Sequence, residues 1–224
     1  MKLTIFAASG GIGRQVLEQA LAAGHDVTAV VRNPKKLTRE EEELRIVSAD
    51  LAAADPAVLE SAVAGADAVL SGLGARKASE AGIASQGTRA IVRAMQATGV
   101  RRLVVVSAAP VYTVPSPGRP KPPKHDPGDG FFMRNLLSPL TKAALRKPYA
   151  DLALMEDVVQ ESRLDWTIVR PPRLTNGPLT GTYRAAYGQN LRRGIFVSRA
   201  DVAHLMLRAL EQPETIKQTI GIAN

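Results

Sequence analysis

The chain has 224 residues, of which 45% are hydrophobic and 22% charged, with no cysteine and a formal net charge of +8. This composition is typical of a folded globular domain, and it excludes an intrinsically disordered chain, a disulfide framework and thiolate chemistry. No apolar run approaches the roughly 20 residues that a membrane-spanning helix needs, and no signal-peptide pattern is present, so we expect a cytoplasmic protein.

In the first half of the chain, runs rich in β-branched residues alternate with helix-like segments. The predicted strands cover residues 3–7, 26–31, 45–48, 66–71 and 101–107. The predicted helices cover residues 16–23, 56–64 and 79–98. This alternation is typical of βαβ units, whose crossovers place helices on both faces of a parallel sheet. The sequence therefore predicts an α/β fold, a Rossmann-type doubly wound parallel sheet in a single domain over residues 1–224.

The alternation stops at Pro110, where a proline-rich and basic insertion of about residues 110–148 begins. Seven prolines lie between Pro110 and Pro127, which argues against a regular helix or a central strand and indicates an extended loop. An amphipathic stretch, 131–146, follows. Because a long insertion after a strand is usually functional, we expect this one to cover the active-site cleft.

Regular elements return in the last third of the chain. We predict a helix over 149–162, strands over 165–170, 194–197 and 218–222, and a helix through residue 210. The pattern Ser198-x-x-Asp201 is a capping box at the start of that second helix.

The first strand runs directly into the sequence AASGGIGR of residues 7–14, after which a helix begins. Such a turn lets a pyrophosphate approach backbone N–H groups at a helix N-terminus. Gly10 and Gly13 keep the second and third positions of the dinucleotide fingerprint, and Ala7 stands at the first. The strand-turn-helix context predicts a dinucleotide site, and the alternative is a turn that binds nothing.

Arg32 follows the second strand, in the sequence VVRNP of residues 30–34. A carboxylate at this place suits the ribose 2′-OH of NAD, whereas a basic residue suits the 2′-phosphate of NADP. Arg32 therefore favours NADP(H), and the alternative is an exposed arginine at a strand end.

With these motifs the chain resembles the atypical short-chain dehydrogenase/reductases with an NAD(P)H-binding fold, the group that includes biliverdin reductase B/flavin reductase and NmrA-like proteins. The matching segments cover residues 7–14, 31–34, 49–51, 71–74, 104–109 and 162–178. The resemblance therefore spans nearly the whole chain, and it concerns the fold and the cofactor more than the substrate.

The resemblance implies cofactor contacts at the ends of successive strands. The turn 9–13 would hold the pyrophosphate, Arg32 the 2′-phosphate, 50–51 the adenine, 72–74 the ribose and phosphates, and 107–109 with the 170–172 turn the nicotinamide. The implied cofactor-binding residues are Ser9, Gly10, Gly11, Ile12, Gly13, Arg32, Asn33, Asp50, Leu51, Gly72, Leu73, Gly74, Ser107, Ala108, Ala109 and Pro171. For Asp50, a helix N-cap or a turn is an equal alternative.

Ketone-reducing members of this superfamily use a Tyr-x-x-x-Lys pair, in which the lysine lowers the tyrosine pKa. Here Tyr149 is followed at the lysine position by Ala153, so the lysine is missing. Our catalytic candidates are Ser107 as a hydrogen-bond donor, Tyr112 as a phenol donor and Tyr149 as a substrate-orienting group. Each has a structural alternative, respectively a small residue beside the cofactor, a packed loop tyrosine and a half-buried helix-start tyrosine. His125 is a weaker candidate, since a lone loop histidine is usually only solvated.

Together these features predict an NADPH-dependent reductase that transfers hydride to an enone, quinone, flavin-like molecule or ketone. The main alternative is a redox-sensing regulator that binds NADP(H) without turnover, which the missing lysine favours. A third is an epimerase or dehydratase that keeps its cofactor bound.

The partners that the sequence favours are few. We expect a small-molecule substrate, no membrane, and a monomer or homodimer. Aromatic residues are only 4%, so the basic excess indicates a solvated surface rather than nucleic-acid binding. The histidines lack metal-ligand spacing, so no metal site is predicted.

Overall fold

The strands and helices follow one another in the order expected of βαβ units. The computed structural model describes residues 1–37, 44–74, 80–126 and 146–224. The strands are β1 (Lys2–Phe6), β2 (Asp26–Val31), β3 (Leu44–Ser48), β4 (Ala68–Ser71), β5 (Arg102–Val106), β6 (Asp165–Arg170), β7 (Arg173–Thr175), β8 (Arg184–Tyr187), β9 (Phe196–Ser198) and β10 (Gln218–Ala223). The α-helices are α1 (Gly11–Ala22), α2 (Pro56–Val63), α3 (Ile83–Thr98), α4 (Arg146–Glu161) and α5 (Arg199–Arg208).

The main sheet has eight strands in the order β3-β2-β1-β4-β5-β6-β10-β8. All neighbours are parallel except β8, which pairs antiparallel with β10. β7 and β9 form a second, two-stranded parallel sheet. The chain winds outward from β1 on one side and from β4 on the other, so the predicted doubly wound Rossmann fold in a single α/β domain is confirmed. Where the strand order reverses, between β1 and β4, this architecture opens a crevice at the carboxyl ends of the strands.

The sheet is buried on both faces, as continuous apolar runs such as those of β1 and β4 require. Along β1, Leu3 and Ile5 belong to the core that contains α1 and α5, whereas Phe6 belongs to the core that contains α2, α3 and α4. The alternation follows from the two-residue period of a strand. Among the described helices, none is long and apolar enough to cross a membrane.

The predicted strands form with small shifts at their ends, and so do the predicted helices. Helix α3 begins at Ile83 rather than at residue 79, because Gly82 takes a left-handed φ of 102° that interrupts the helix. Of the predicted capping box the N-cap half forms, since the Ser198 hydroxyl accepts from the Asp201 N–H at 2.9 Å, while the Asp201 carboxylate accepts from that hydroxyl at 2.8 Å. The prediction missed β7 and β8, because both are short and neither has an alternating apolar pattern.

The insertion is less extended than its prolines indicated. Ala109–Thr113 form a 3-10 helix, and Ser116 and Arg119 form an isolated β-bridge. The side chain of Asp157 on α4 holds this turn by accepting from the Ser116 hydroxyl and the Gly118 N–H, each at 2.9 Å. Residues 127–145 of the insertion, with most of the predicted amphipathic stretch, lie outside the described residues.

Candidate cofactor and active site

A cleft of about 890 Å³ lies at the carboxyl ends of β1 to β5. This volume is in the range of about 300–1,000 Å³ that ligand sites occupy. The predicted site residues that line it are Ser9, Gly10, Gly11, Ile12, Arg32, Asn33, Asp50, Leu51, Gly72, Leu73, Gly74, Ser107, Ala108 and Tyr149. Most of the predicted cofactor residues thus come together in one place.

The turn between β1 and α1 is tight. The Gly10 N–H donates to the Ala7 carbonyl at 2.7 Å, and Ala7 takes a left-handed φ of 56°. This conformation is the one for which the fingerprint ordinarily has glycine, because an L side chain is strained there. Ala7 therefore performs the turn of the missing first glycine at some cost in backbone strain.

Two glycines bring the turn and β4 into close contact. A Cβ added to Gly13 would lie 2.2 Å from the Ala7 carbonyl oxygen, and one added to Gly72 would lie 2.8 Å from the Gly13 nitrogen. Gly13 is buried and does not line the cleft, so it serves helix–strand packing. Gly10 and Gly11 do line it, and neither places a side chain of its own over the turn. The turn fits a pyrophosphate.

Three cations lie at the end of β2. Arg14 and Lys36 line the cleft beside the predicted Arg32, and all three are exposed. The Arg14 guanidinium donates to the Lys36 carbonyl at 2.9 Å, and the Asn33 side chain accepts from the Lys35 N–H at 3.1 Å. In the described ranges none of the three cations forms an ion pair. Their uncompensated charge suits a phosphate with two negative charges.

Arg14 and Lys36 were missed by the sequence analysis. The available signal was the spacing of Lys36 four residues after Arg32, within a turn that begins at Pro34. Asp50 lines the cleft, and its carboxylate accepts from the Ala52 N–H at 3.2 Å, as in the turn alternative. Its contact with the adenine stays a prediction.

The inner end of the cleft has a buried polar cluster. The Ser107 hydroxyl donates to Oε1 of Glu156 at 2.6 Å, and Nε of Arg170 donates to the same oxygen at 2.8 Å. A second guanidinium N–H of Arg170 bonds Oε2 of Glu156. Glu156 is 1% exposed and Arg170 4%, so this ion pair is shielded from solvent. The single proton of Ser107 is engaged by a carboxylate, and its oxygen lone pairs remain for the cleft.

Helix α4 carries the acids that organise the cleft. Besides Glu156, Asp151 is buried and accepts from the Ala84 and Ser85 N–H groups at 3.0 and 3.1 Å, which caps the N-terminus of α3. The sequence analysis missed both acids. From the sequence alone, a buried acidic residue on a helix looks the same as one on a solvated face, because the elements that pack against the helix are not known.

The remaining candidate residues divide between the cleft and its surroundings. Tyr149 lines the cleft, and burial raises the pKa of its phenol, which keeps the proton on the oxygen. Tyr112 does not line the cleft; its ring lies 5.7 Å from the Arg170 guanidinium. His125 is exposed and lies outside the cleft lining.

Ala109 and Pro171 also lie outside the cleft lining. The Ala109 N–H donates to the Pro171 carbonyl at 2.9 Å, so their backbones join the segments that follow β5 and β6. In the part of the chain that the structure describes, no group of three His, Cys, Asp or Glu side chains could hold a metal ion.

The C-terminal part of the chain contributes lining residues that the sequence analysis did not identify: Leu174, Asn176 and Arg199. Asp201 fixes this region by accepting from the Thr180 N–H at 2.9 Å and the Gly181 N–H at 3.0 Å. Burial alone would raise the pKa of Asp201, but these bonds and one from Ser198 bring that pKa below its ordinary value.

Comparison with known families places these observations in context. A family model described as NAD(P)H-binding matches residues 7–213. The protein YwnB of Bacillus subtilis is 27% identical over 223 residues, which cover 96% of this chain and 94% of YwnB. YhfK of the same organism, named as an uncharacterized sugar epimerase, is 27% identical over 96% of this chain and 90% of its own.

Solved structures agree with the family match. ChuY, an anaerobillin reductase from Escherichia coli O157:H7, has a TM-score of 0.76 and 25% identity, over 100% of this chain and 97% of ChuY. A short-chain dehydrogenase/reductase from Veillonella parvula in complex with NADP has a TM-score of 0.76 and 20% identity, over 100% and 94%. The predicted NAD(P)H-binding family is thus confirmed, and the solved structures share its fold.

Proposed function

This chain belongs to the NAD(P)H-binding family, and from that membership we propose that it is an NADPH-dependent reductase acting on a small conjugated or carbonyl acceptor. The observation that carries the proposal is one cleft lined by Arg14, Arg32 and Lys36, which form no ion pair in the described ranges, and also by Ser107 and Tyr149. One end of this cleft suits the 2′-phosphate, and the Ser107 hydroxyl and the Tyr149 phenol also line it.

The residues of the chain would hold the cofactor along the cleft in a fixed order. The N–H groups of the glycine turn would bind the pyrophosphate, and Arg32 with Arg14 and Lys36 would bind the 2′-phosphate. Leu51 would border the adenine, and Ser107 would lie at the nicotinamide. When bound, NADPH supplies the hydride.

Ser107 would act as a hydrogen-bond acceptor rather than as the donor that the sequence suggested. Because its proton is engaged by Glu156, its oxygen offers lone pairs to an amide N–H of the nicotinamide or of a substrate. The cluster with Glu156 and Arg170 holds this hydroxyl in one orientation, which preorganises the inner end of the cleft.

Tyr149 would donate a hydrogen bond to the acceptor, since its raised pKa keeps the phenol protonated at neutral pH. Without a lysine at position 153 this phenol is a weak acid. A conjugated acceptor suits such a site, because its reduction depends mostly on positioning and its proton can come from solvent.

A second candidate function is a redox sensor that binds NADP(H) without turnover. Two observations favour it: Ala153 replaces the lysine of the family's proton relay, and the proton of Ser107 is not available to a substrate. The cofactor site is the same in both proposals, so only turnover distinguishes them.

The test follows loss of the nicotinamide absorbance of NADPH with FMN, a quinone, a biliverdin-like tetrapyrrole and a ketone. We expect acceptor-dependent oxidation, and we expect Tyr149→Phe to lower kcat by roughly 5- to 100-fold, the value of one hydrogen bond of about 1–3 kcal/mol, without weakening NADPH binding. Tight NADPH binding with no turnover across the panel would favour the sensor instead. Absence of NADPH binding would contradict both.

A further inference from the structure

The side chain of Arg199 lies directly over the glycine turn. A Cβ added to Gly11 would be 2.8 Å from Nε of Arg199 and 2.9 Å from its Cδ. Arg199 is the first residue of α5, far from the turn in sequence, and it lines the same cleft. A guanidinium from the C-terminal part of the chain thus faces the place where α1 begins.

The backbone beneath Arg199 is firmly held. Helix α5 packs against α1, and the Gln19 side-chain amide donates to the Ala200 carbonyl at 2.9 Å. Ser198 caps α5 on its other side. Because the two helices are joined this closely, the first turn of α5 has a fixed place beside the first turn of α1.

The charge of Arg199 is not neutralised within the described residues. Its Nη1 donates to the uncharged amide oxygen of Asn176 at 2.6 Å, and it takes part in no ion pair there. Asp201, in the same helical turn, is occupied by the hydroxyls of Ser198 and Thr180 and by the Gly181 N–H. A guanidinium that meets no carboxylate among the described residues and lies beside the N-terminus of α1 is suited to binding an anion.

We propose that Arg199 binds the cofactor pyrophosphate together with the glycine turn against which it lies, and that Asn176 holds the guanidinium in that position. This inference rests on the proposed cofactor site but not on the proposed reaction. Two arginines would then recognise different parts of the cofactor. Arg32 recognises the 2′-phosphate, which NADH lacks, and Arg199 recognises the pyrophosphate, which both cofactors have.

Because the two arginines would bind different parts of the cofactor, binding measurements alone can test the role of Arg199. Dissociation constants are measured by fluorescence or calorimetry for NADPH, NADH and 2′-AMP, which has the 2′-phosphate but no pyrophosphate. Arg199→Met should weaken NADPH and NADH to the same extent, about 10- to 100-fold for one lost charge-assisted contact, and leave 2′-AMP unchanged. Arg32→Met should weaken NADPH and 2′-AMP and leave NADH unchanged.

Two controls separate binding from folding. Arg208→Met removes an exposed arginine from the other end of α5 and should leave all three constants unchanged. Arg199→Lys, which keeps the charge but not the fork of N–H groups, should recover part of the lost affinity. Urea unfolding of each variant confirms that the fold persists.

The outcomes distinguish this inference from the proposed function. If Arg199→Met binds NADPH and NADH as the wild type does while Arg32→Met loses NADPH, the role of Arg199 is wrong and the cofactor site stands. Loss of 2′-AMP binding in Arg199→Met would also overturn the inference, since it would show a general disruption. A wild-type protein that binds neither dinucleotide would contradict the inference and the proposed function together.

Discussion

The arginines at the two ends of the cleft differ in exposure and in ion pairing. At the outer end, Arg14, Arg32 and Lys36 are exposed and have no ion pair in the described ranges. At the inner end, Arg170 is buried, and both carboxylate oxygens of Glu156 accept hydrogen bonds from its guanidinium. The outer cations are available to a ligand, whereas the inner one is a structural part of the wall.

The free energy needed to bury a charge explains why the cations differ between the two ends. An exposed cation stays hydrated and can exchange water for a phosphate, but a buried charge needs a partner within the protein. The inner end therefore presents a satisfied, nearly neutral surface with one fixed hydroxyl, Ser107. Such a surface suits an uncharged ring better than a phosphate.

Among the substitutions that test this difference between the two ends, Glu156→Ala should cause the largest loss of stability. Glu156→Ala leaves the Arg170 charge buried and unpaired, so the free energy of unfolding should fall by about 3–5 kcal/mol in urea titrations. Asp157→Ala, on the same helix, removes only the bonds to Ser116 and Gly118 and should cost about 1 kcal/mol. If both variants lost the same free energy of unfolding, the buried pair of Glu156 and Arg170 would contribute no more to stability than the hydrogen bonds of Asp157.

The next effect concerns the contact between the glycine turn and β4. Gly72→Ala places a Cβ 2.8 Å from the Gly13 nitrogen, where backbone must move, and we expect a loss of roughly 1–3 kcal/mol together with weaker NADPH binding. Gly74→Ala is the matched control, because among the described residues its Cβ meets nothing within 4 Å. Its stability should stay within about 0.5 kcal/mol of wild type. If both variants behave alike, the close contact does not shape the site.

A pH-dependent effect is expected at Asp201, which secures the Arg199 side of the cleft. Its folded pKa lies below the ordinary value, so its ionised form stabilises the fold above the unfolded pKa of about 3.9, and that contribution is lost as pH falls through the lower folded pKa. Asp201→Asn should therefore cost about 1–2 kcal/mol at neutral pH. The difference from wild type should shrink in urea titrations below about pH 4. A pH-independent difference would contradict this assignment.

The smallest change in stability is expected at Ala7, in the glycine turn at the outer end of the cleft. Ala7→Gly relieves the left-handed strain of the turn, so we expect stabilisation of about 0.5–1 kcal/mol, seen as a higher midpoint of thermal unfolding. Ala8→Gly, beside it in ordinary backbone, should destabilise instead. Destabilisation by Ala7→Gly would mean that the Ala7 methyl group matters more than its conformation.

The same two regions show what the sequence could predict. The glycine turn and Arg32 lie within a few residues of a strand end, so a local motif was sufficient to find them. Glu156 and Arg170 meet Ser107 only after three separate segments pack together, and no local pattern marks such a meeting. Arg199 was missed for the same reason, since its partner Gly11 lies at the other end of the chain.

The fold itself was largely predictable because each buried strand has its own continuous apolar run. The exceptions have local causes. Strands β7 and β8 are short, and their pairing depends on β9 and β10, which come later in the chain. The start of α3 depends on the conformation of one glycine, Gly82, rather than on apolar spacing.

We propose that the outer end of the cleft selects NADPH through Arg14, Arg32 and Lys36, which form no ion pair among the described residues. The most direct test measures the dissociation constants of NADPH and NADH for the wild type and for Arg32→Ala. We predict that the wild type prefers NADPH by about 10- to 100-fold, the value of charge-assisted hydrogen bonds of roughly 1.5–3 kcal/mol, and that Arg32→Ala loses most of this preference. Equal affinity of the wild type for the two cofactors, or an unchanged preference in Arg32→Ala, would contradict the account.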